Sequence, residues 1–345
     1  MINWISNKKI NNKKVNQLLQ ISLKENKFTN YGPNVQLLEN IIRDKFKIDE
    51  NKAIICVANG SVALHLLTTG IQYYKQNNKK LKWATQSFTF PPSAQSNLSD
   101  VKIVDIDNEG GLNLEEIDES IDGIIVTNIF GNIVDIDKYV KWSNDNKYLI
   151  FDNAATPFTF YKGKSCCNYG HGCTISFHHT KPFGFGEGGA IIVDKEYEHN
   201  IRCLNNFGID LTDKYWVKEG NNNKMSDISA VYIIQYLDKF DYIVKKHKEL
   251  YKYFKKKLEN SKIQAKLYPS FHYIDNIIPS CFCLIFDNYN DNIKQKLLDN
   301  GIFCRKYYYP LKNTKNTCEI YDKILCLPCN SDMKKKDIDF IFNFI

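Results

Sequence analysis

The stretch TISFHHTKPFGFGEGGAIIV, residues 174–193, constrains the fold more than any other part of this chain. Its two ends are apolar and rich in β-branched or aromatic residues, which is typical of buried strands. Between them lie a polar turn and a loop with four glycines, which permit a tight path with positive φ. The stretch therefore predicts two strands joined by a turn that holds Lys181 at the edge of a buried sheet.

Lys181 stands directly before Pro182, which cannot donate a backbone N–H and biases the lysine away from helix. An ammonium group at the edge of a buried sheet is costly, so this lysine inclines toward the neutral amine, the form that attacks carbonyl groups. The chain is rich in lysine, and an ordinary loop lysine is the alternative. Spacing alone leaves both interpretations open.

The composition is that of a globular protein. The 345 residues suffice for one large domain and a smaller one, and 43% are hydrophobic and 25% charged. The net charge of +7 is scattered, which favours a solvated surface over nucleic-acid binding, although it would suit an anionic diphosphate sugar. The 11 cysteines lie mostly in apolar runs, as expected for reduced thiols in a cytoplasmic protein. No signal peptide and no apolar run of membrane-spanning length is evident, so no membrane partner is expected.

Strand-like and helix-like stretches alternate along the first half of the chain. Strands are predicted at 54–58, 81–86, 101–105, 124–127 and 148–152, and helices at 35–46, 62–67, 114–120 and 135–143. This alternation predicts an α/β fold with a doubly wound, mostly parallel sheet. Ligands bind at the carboxyl ends of the strands in such sheets.

Three groups besides the lysine loop follow predicted strands and could meet it at one sheet edge. Asn59-Gly60-Ser61 opens a helix, where free N–H groups favour an anion such as phosphate, although a plain capped turn is the alternative. Phe90 follows the second strand, and by itself its position favours an ordinary core residue. Asp152 ends the strand YLIFD and needs a cationic or hydrogen-bonded partner, unless it only caps a helix or faces solvent.

The motifs SFHHTK, GEGGAIIV, YKGKS and GNNNKMSD together resemble the DegT-type nucleotide-sugar aminotransferases, which bind pyridoxal 5'-phosphate (PLP). The resemblance covers nearly the whole chain and is weak at both termini. It implies the aspartate-aminotransferase fold, PLP fold type I. In that fold a large domain with a mostly parallel sheet, residues 1–240, precedes a smaller C-terminal α+β domain, residues 241–345.

The resemblance also implies roles for single residues. Lys181 would hold PLP as a Schiff base and carry protons during catalysis. Asp152 would pair with the pyridine nitrogen and keep it protonated, and Phe90 would stack on the ring.

The remaining cofactor contacts implied by the resemblance concern the PLP phosphate. The residues at the matching positions are Gly60, Ser61, Val62 and Ser176. Asn222 matches an asparagine that reaches the phosphate of the partner subunit, which implies a homodimer with shared active sites. No metal site is predicted: the cysteines and histidines near Lys181 lack the spacing of zinc ligands.

One position departs from the family pattern. The family usually places histidine or glutamine after Asp-Ala-Ala, in contact with the phenolic oxygen of the cofactor, and this chain has Ala155 there. Either Asn153 or Thr156 supplies that contact, or it is missing.

The motifs SFTFPPSA, NFGI and RKYYYPL are most similar to members that make dTDP- or UDP-4-amino-4,6-dideoxyglucose, known as viosamine. They imply transfer of an amino group from L-glutamate, which becomes 2-oxoglutarate, to C4 of a nucleotide-linked 4-keto-6-deoxyglucose. A C3 aminotransferase, a C4-epimeric enzyme of the perosamine or fucosamine type, and a non-catalytic PLP-binding protein remain alternatives. The sequence does not decide the nucleotide.

The second half of the chain carries fewer signals. A long helix is predicted over 228–251, strands near 281–286 and 302–306, and a final helix from about residue 333. Cys326 and Cys329 form the single CxxC pair of the chain, and their apolar setting favours packing over metal or redox chemistry.

Overall fold

The structure is a computed structural model that describes residues 1–74, 80–210, 212–269 and 277–345. The helices of this part of the chain are α1 (Asn12–Glu25), α2 (Pro33–Phe46), α3 (Gly60–Tyr74), α4 (Ile136–Trp142), α5 (Glu198–Asn205), α6 (Asp227–Leu237), α7 (Phe240–Glu259), α8 (Asp291–Asp299), α9 (Lys315–Lys323) and α10 (Lys335–Phe342). None of the helices in these four ranges combines the length and the apolar character that crossing a bilayer requires.

The strands are β1 (Lys52–Val57), β2 (Trp83–Gln86), β3 (Lys102–Val104), β4 (Gly123–Thr127), β5 (Tyr148–Asp152), β6 (Phe160–Tyr161), β7 (Lys164–Ser165), β8 (Gly172–Ser176), β9 (Gly189–Asp194), β10 (Ile209–Asp210), β11 (Tyr215–Trp216), β12 (Ala265–Leu267), β13 (Cys281–Phe286) and β14 (Ile324–Pro328). Strands β6 with β7, and β10 with β11, form short hairpins.

Seven strands form the large sheet in the order β1-β9-β8-β5-β4-β2-β3. The pairs from β8 to β3 are parallel, and β9 runs antiparallel to both of its neighbours. Strands β1, β4, β5 and β8 are buried along nearly their whole length, because helices cover both faces of the sheet. One face packs against α1, α2, α4 and α6, and the other packs against α3 and α5.

A second sheet, β12-β13-β14, is antiparallel. One of its faces packs against α7, α8 and α10. There the ring of Phe254 stacks on that of Phe282, with 4.2 Å between the ring centres. Its other face packs against Phe88, Ile106 and Phe130, which follow β2, β3 and β4. The small sheet therefore lies over the carboxyl ends of the large-sheet strands, where the site is expected.

This architecture confirms the predicted fold class, an α/β protein with a large, mostly parallel sheet and the strand–turn–strand arrangement around Lys181. The division of the chain at residue 240 stays a prediction. The long helix predicted over 228–251 is wrong: α6 ends at Leu237 and α7 begins at Phe240. The two helices pack on different partners, α6 on α1 and α2 and α7 on the small sheet, so the chain turns between them.

Two further predicted elements are absent from the described residues. The helix predicted at 114–120 is a single 3₁₀ turn, Leu114–Glu116. In a longer helix the N–H of Ser120 would donate to the carbonyl of Glu116, but it donates to Oδ1 of Asp118 instead, and that carbonyl accepts from Nζ of Lys102. The strand predicted at 302–306 is reduced to isolated bridges. Ile302 pairs with Ile2 and Arg305 with Cys326, so two different partners prevent a continuous ladder.

Candidate active site

The ends of four strands place the predicted site residues along one edge of the large sheet. Asp152 ends β5 and lies opposite Thr174 of β8, and Ser176 ends β8 opposite Gly189. Gly189 also lies opposite Val57, the last residue of β1, so the turn at Gly60 meets the end of β8. The register of the sheet therefore brings the Gly60 turn, Ser176 and Asp152 together.

The start of α3 forms a cradle beside Ser176. A methyl group added to Gly60 would lie 3.0 Å from Cβ and 3.3 Å from Oγ of Ser176, so the two residues are in close contact. Asn59 caps the helix: its Oδ1 accepts the N–H of Val62 at 2.9 Å. The N–H groups of Gly60 and Ser61 have no acceptor among the described residues. The donors that are free for an anion are thus Gly60 and Ser61, whereas the N–H of Val62 is already bound.

Lys181 sits in a tight turn that its backbone holds closed. Its N–H donates to the carbonyl of His178 at 2.8 Å, and its own carbonyl accepts from the N–H of Gly184 at 3.1 Å. Lys8 also donates through Nζ to the carbonyl of Lys181 at 2.7 Å and to that of Gly184. The residue is half-buried, and burial of its ammonium group lowers the pKa of Lys181, while the charge of Asp152 raises it. The amine and the carboxylate therefore interact, and burial favours the neutral amine.

Asp152 is buried and its two oxygens are used differently. Oδ1 accepts from the N–H of Ala154 at 3.0 Å and from Oγ1 of Thr174 at 3.2 Å. Oδ2 receives no hydrogen bond from the residues that the structure describes. Burial raises the pKa of the Asp152 carboxyl, against the N–H of Ala154 and the charge of Lys181, which lower it. Oδ2 is therefore available to accept a hydrogen bond from a cationic group of a ligand bound next to Lys181.

Asn153 and Thr156, the two candidates for the role that histidine or glutamine has in the family, are both engaged in the protein interior. Oδ1 of Asn153 accepts from Nδ2 of Asn128 at 2.7 Å. Oγ1 of Thr156 donates to the carbonyl of Asn128 at 2.8 Å and accepts from the N–H of Gly131 at 3.1 Å. These bonds orient both side chains toward the β4–β5 connection, which favours the interpretation that this chain has no such contact.

Two aromatic side chains lie at the mouth of this edge. Phe90 follows β2, is 54% exposed, and its ring centre lies 6.3 Å from that of Tyr308. The ring of Tyr308 stacks on that of Phe130, with 5.3 Å between the ring centres, and burial raises the pKa of the Tyr308 hydroxyl, to which the charge of Asp152 adds. An exposed phenylalanine beside a ring stack is available to a planar ligand. Sequence reasoning noted the motif RKYYYPL but assigned no role to Tyr308, and it missed Lys8, for which the sequence holds no signal.

Asn222 is not brought to Lys181 within this chain. It lies on an exposed loop that runs beside the end of β1, where the N–H of Ala58 donates to the carbonyl of Asn223 at 2.9 Å. No contact of Asn222 with Lys181 or Asp152 occurs in the described part of the structure.

The sequence matches the DegT/DnrJ/EryC1/StrS aminotransferase family over residues 9–345. The chain belongs to this family. The aminotransferase motifs noted in the sequence and the sheet-edge site described above thus fall within one family match that spans almost the whole protein.

Individual members of the family show how similar this aminotransferase is to known proteins. It is 27% identical to the dTDP-4-amino-4,6-dideoxy-D-glucose transaminase of Shigella dysenteriae, with 95% of this chain and 93% of the relative covered. It is 26% identical to a UDP-4-amino-4,6-dideoxy-N-acetyl-beta-L-altrosamine transaminase of Campylobacter jejuni, with 88% and 90% covered. The crystal structure of a protein described as a PLP-dependent aminotransferase from Bacillus cereus shares the fold, with a TM-score of 0.85, 23% identity and 99% and 98% coverage.

These comparisons confirm the predicted family, the fold and the dependence on PLP, and they support aminotransferase activity on a nucleotide sugar. The residues present fit the cofactor. The unpartnered oxygen of Asp152, the free N–H groups of Gly60 and Ser61, and the cradle beside Ser176 suit a cationic ring nitrogen and a phosphate.

Proposed function

We propose that this aminotransferase moves an amino group from L-glutamate to C4 of a dTDP- or UDP-linked 4-keto-6-deoxyglucose. The product would be the 4-amino-4,6-dideoxy sugar nucleotide of the viosamine type. The dTDP-4-amino-4,6-dideoxy-D-glucose transaminase of Shigella dysenteriae supports this proposal, because it aligns with 95% of the chain. The motifs SFTFPPSA, NFGI and RKYYYPL, which resemble those of viosamine-type members, also support it.

Lys181 and Asp152 would do the chemistry. PLP, when bound, supplies an aldehyde that accepts the amino group and a ring that takes up electrons. The amine of Lys181 would hold the cofactor and then move a proton between the substrate carbon and the cofactor carbon as general acid and base. Asp152 would keep the ring nitrogen protonated with Oδ2, the oxygen that has no hydrogen bond in the described structure. The single observation that carries this assignment is the convergence, at one edge of the sheet, of the turn with the half-buried Lys181 and the buried carboxylate that ends β5, Asp152.

The remaining residues would bind and orient the cofactor. Gly60, Ser61 and Ser176 would hold the phosphate through two free N–H groups and two hydroxyls, with the N-terminus of α3 favouring its charge. Val62, whose N–H is capped by Asn59, would contribute only its position in the first turn. Phe90 would cover one face of the ring.

Asn222 would act in the partner subunit, so we include a homodimer with shared active sites in this proposal. Its exposed position on a loop next to the end of β1 supports a contact across an interface. The two domains would divide near residue 240, where α6 ends and α7 begins. The 11 free cysteines support a cytoplasmic location.

The experiment is a substrate panel. Purified protein with PLP and L-glutamate is given dTDP-, UDP- and GDP-linked 4-keto-6-deoxy sugars and a 3-keto analogue, and 2-oxoglutarate and the amino sugar are measured. We expect turnover of the 4-keto-6-deoxyglucose nucleotides. NMR coupling constants of the product then establish the configuration at C4, which mass spectrometry alone does not. Turnover of the 3-keto sugar alone would reject C4 transfer.

The specific alternative is a C4 product of the other configuration or another sugar series. A GDP-perosamine synthase of Escherichia coli O157:H7 is 23% identical and matches 77% of this chain, which supports a perosamine-type product as the alternative. A GDP-linked mannose-series substrate that turns over faster than the glucose-series substrates would favour this alternative.

A further inference from the structure

Three cysteine thiols lie close together on the face of the small sheet that packs against the carboxyl ends of the large-sheet strands. Cys281 and Cys283 belong to β13, and Cys326 belongs to β14. The Sγ atoms of Cys281 and Cys283 are 3.4 Å apart, and those of Cys283 and Cys326 are 3.1 Å apart. All three sulfur atoms lie within 4.8 Å of one another, and all three residues are buried.

The register of the two strands explains this convergence. Cys281 and Cys283 are two residues apart on one strand and therefore share a face. Cys326 lies directly opposite Cys283. Its backbone N–H and carbonyl both bond to Arg305 on its other side, so Cys283 and Cys326 form a non-hydrogen-bonded pair. Side chains approach each other most closely at such pairs.

The cluster borders the active site. Tyr308 packs against the apolar cluster that contains all three cysteines. Burial lowers the pKa of Lys181, and the charge of a thiolate at Cys281 opposes that shift. Phe88 and Phe130, which follow strands of the large sheet, pack in the same apolar cluster. A ligand held by these thiols would thus lie next to the lysine that we propose to hold the cofactor.

We propose that Cys281, Cys283 and Cys326 bind one soft divalent metal ion, of the Zn²⁺ or Cd²⁺ type, through three thiolates. A point equidistant from the three sulfur atoms lies roughly 2 Å from each, within a few tenths of an ångström of the Zn–S bond of about 2.3 Å. Thiolates select soft metals over Mg²⁺ or Ca²⁺. Binding releases one proton from each of the three thiols to solvent and forms three metal–sulfur bonds, so the complex carries one negative charge.

A disulfide between Cys283 and Cys326 is the competing chemistry. It would require the two sulfur atoms to close from 3.1 Å to about 2.05 Å and an external oxidant, and it would leave the third thiol without a function. Cys329, the sequence partner of Cys326 in the CxxC pair, does not belong to the cluster. It lies three residues on, on the opposite face, with its Sγ 3.6 Å from Nδ1 of His247.

A second group of metal-ligand types, His199, Cys203 and Asp210, carries no proposal. Nε2 of His199 lies 2.6 Å from Oδ2 of Asp210, and this ion pair alone accounts for the arrangement. In the three-thiol cluster, by contrast, no ion pair between described residues holds the side chains together, and the thiols contact one another within an apolar cluster.

Cadmium titration of the full-length protein with PLP bound tests the proposal, in a buffer with a phosphine instead of a thiol reductant. We expect one equivalent of Cd²⁺ to bind and to produce the ultraviolet sulfur-to-metal charge-transfer absorbance. Cys283→Ser and the double variant Cys281→Ser/Cys326→Ser should each weaken binding by at least about 100-fold, since even the loss of an outer-shell partner costs roughly 10–100-fold. Cys329→Ser, on the opposite face, is the matched control and should bind as the unaltered protein does.

X-ray absorption of the Cd²⁺-loaded unaltered protein gives a measurement that does not depend on whether the serine variants fold. We expect three sulfur neighbours. A charge-transfer band that survives the double variant, fewer than three sulfur neighbours, or a disulfide in the reduced preparation would each overturn the proposal. None of these measurements requires a sugar substrate, so their outcome is independent of the substrate panel.

Discussion

Burial and charge act in opposite directions on the amine of Lys181. Burial lowers its pKa, and the carboxylate of Asp152 raises it. The same burial raises the pKa of Asp152, which Ala154 and Lys181 counteract. Removing one partner of such a pair leaves the other buried without an opposite charge, so single substitutions at Lys181 and at Asp152 test the two residues separately.

Replacement of Lys181 by alanine is expected to abolish both the visible absorbance of bound cofactor and turnover. The reason is that no other amine of the described chain is placed beside Asp152. Far-ultraviolet circular dichroism should be unchanged, since the side chain makes no hydrogen bond of its own in the described structure. Lys9→Ala, on the exposed N-terminal segment, serves as control. A yellow and active Lys181→Ala protein would refute the assignment.

Replacement of Asp152 by asparagine keeps the shape of the side chain and removes its charge. We expect the variant to retain some PLP but to lose about 100-fold or more in kcat, the usual effect of removing a preorganised charge at a reacting centre. Steady-state kinetics measure this loss. Asp137→Asn, which removes an exposed ion pair with Lys162, should leave the rate unchanged. Near-normal turnover of Asp152→Asn would count against its role at the ring nitrogen.

At the scale of elements, the turn that carries Lys181 is held by the N-terminal segment as well as by its own backbone. Nζ of Lys8 donates to the carbonyls of Lys181 and Gly184 and lies 4.7 Å above the ring of Tyr236 on α6. Burial lowers the pKa of Lys8 to about 7. Residues distant in sequence thus fix the position of the lysine loop.

Lys8→Met is expected to weaken the binding of PLP several-fold. It removes two hydrogen bonds to the loop, each worth about 1 kcal/mol, and keeps the apolar stem. The dissociation constant is obtained by titration of the visible absorbance. Lys9→Met changes the neighbouring exposed lysine in the same way and should bind PLP normally. Equal PLP affinity of the two variants would show that Lys8 does not contribute to cofactor binding.

Gly184 is required by the close approach of its own loop. A methyl group added there would lie 2.1 Å from the carbonyl oxygen of His178 and 2.4 Å from that of Phe177, and neither backbone atom can yield easily. Gly184→Ala should therefore destabilise the protein by more than about 1 kcal/mol and reduce the cofactor absorbance. Gly186→Asn is the control, since asparagine tolerates its φ of +66° and no atom lies within 4 Å. Urea denaturation of both variants measures the difference.

At the scale of the whole molecule, the small sheet covers the carboxyl ends of the large one, and α7 connects the two. His247 of α7 lies at this junction, and its Nδ1 donates to the carbonyl of Pro279 at 2.7 Å. Complete burial lowers the pKa of His247 to about 4. The folded protein thus keeps this imidazole neutral where the unfolded chain would protonate it.

This arrangement predicts loss of stability in mild acid. Below the unfolded pKa of about 6.5 the unfolded state binds a proton that the folded state does not, so stability falls by up to about 1.4 kcal/mol per pH unit until pH 4. His247→Asn retains the donor to Pro279 without the titration. Urea denaturation at pH 7, 6 and 5, at one PLP concentration, should give a shallower decline for the variant. Parallel declines would contradict the assignment.

Local patterns determined much of this protein. The apolar runs predicted β1, β4 and β5 within two residues and one strand on each side of the lysine loop, because a strand buried on both faces needs a continuous apolar sequence. Helical periodicity gave wrong predictions at two places. At 114–120 a side chain accepts a backbone N–H that a helix would use, and at 238–239 the chain turns because α6 and α7 pack on different partners.

Sequence motifs identified the amine of Lys181, the carboxylate of Asp152 and the turn at Gly60. This was possible because the chemistry needs these residue types at the ends of particular strands, and the strands set their spacing in the sequence. Only the tertiary structure decided which distant groups surround them. Lys8 reaches the lysine loop across 173 residues. Tyr308, from the segment before α9, stacks on Phe130 after β4, and Cys281, Cys283 and Cys326 meet through the pairing of two strands. Such contacts depend on register and packing between separate segments, which periodicity within one segment does not encode.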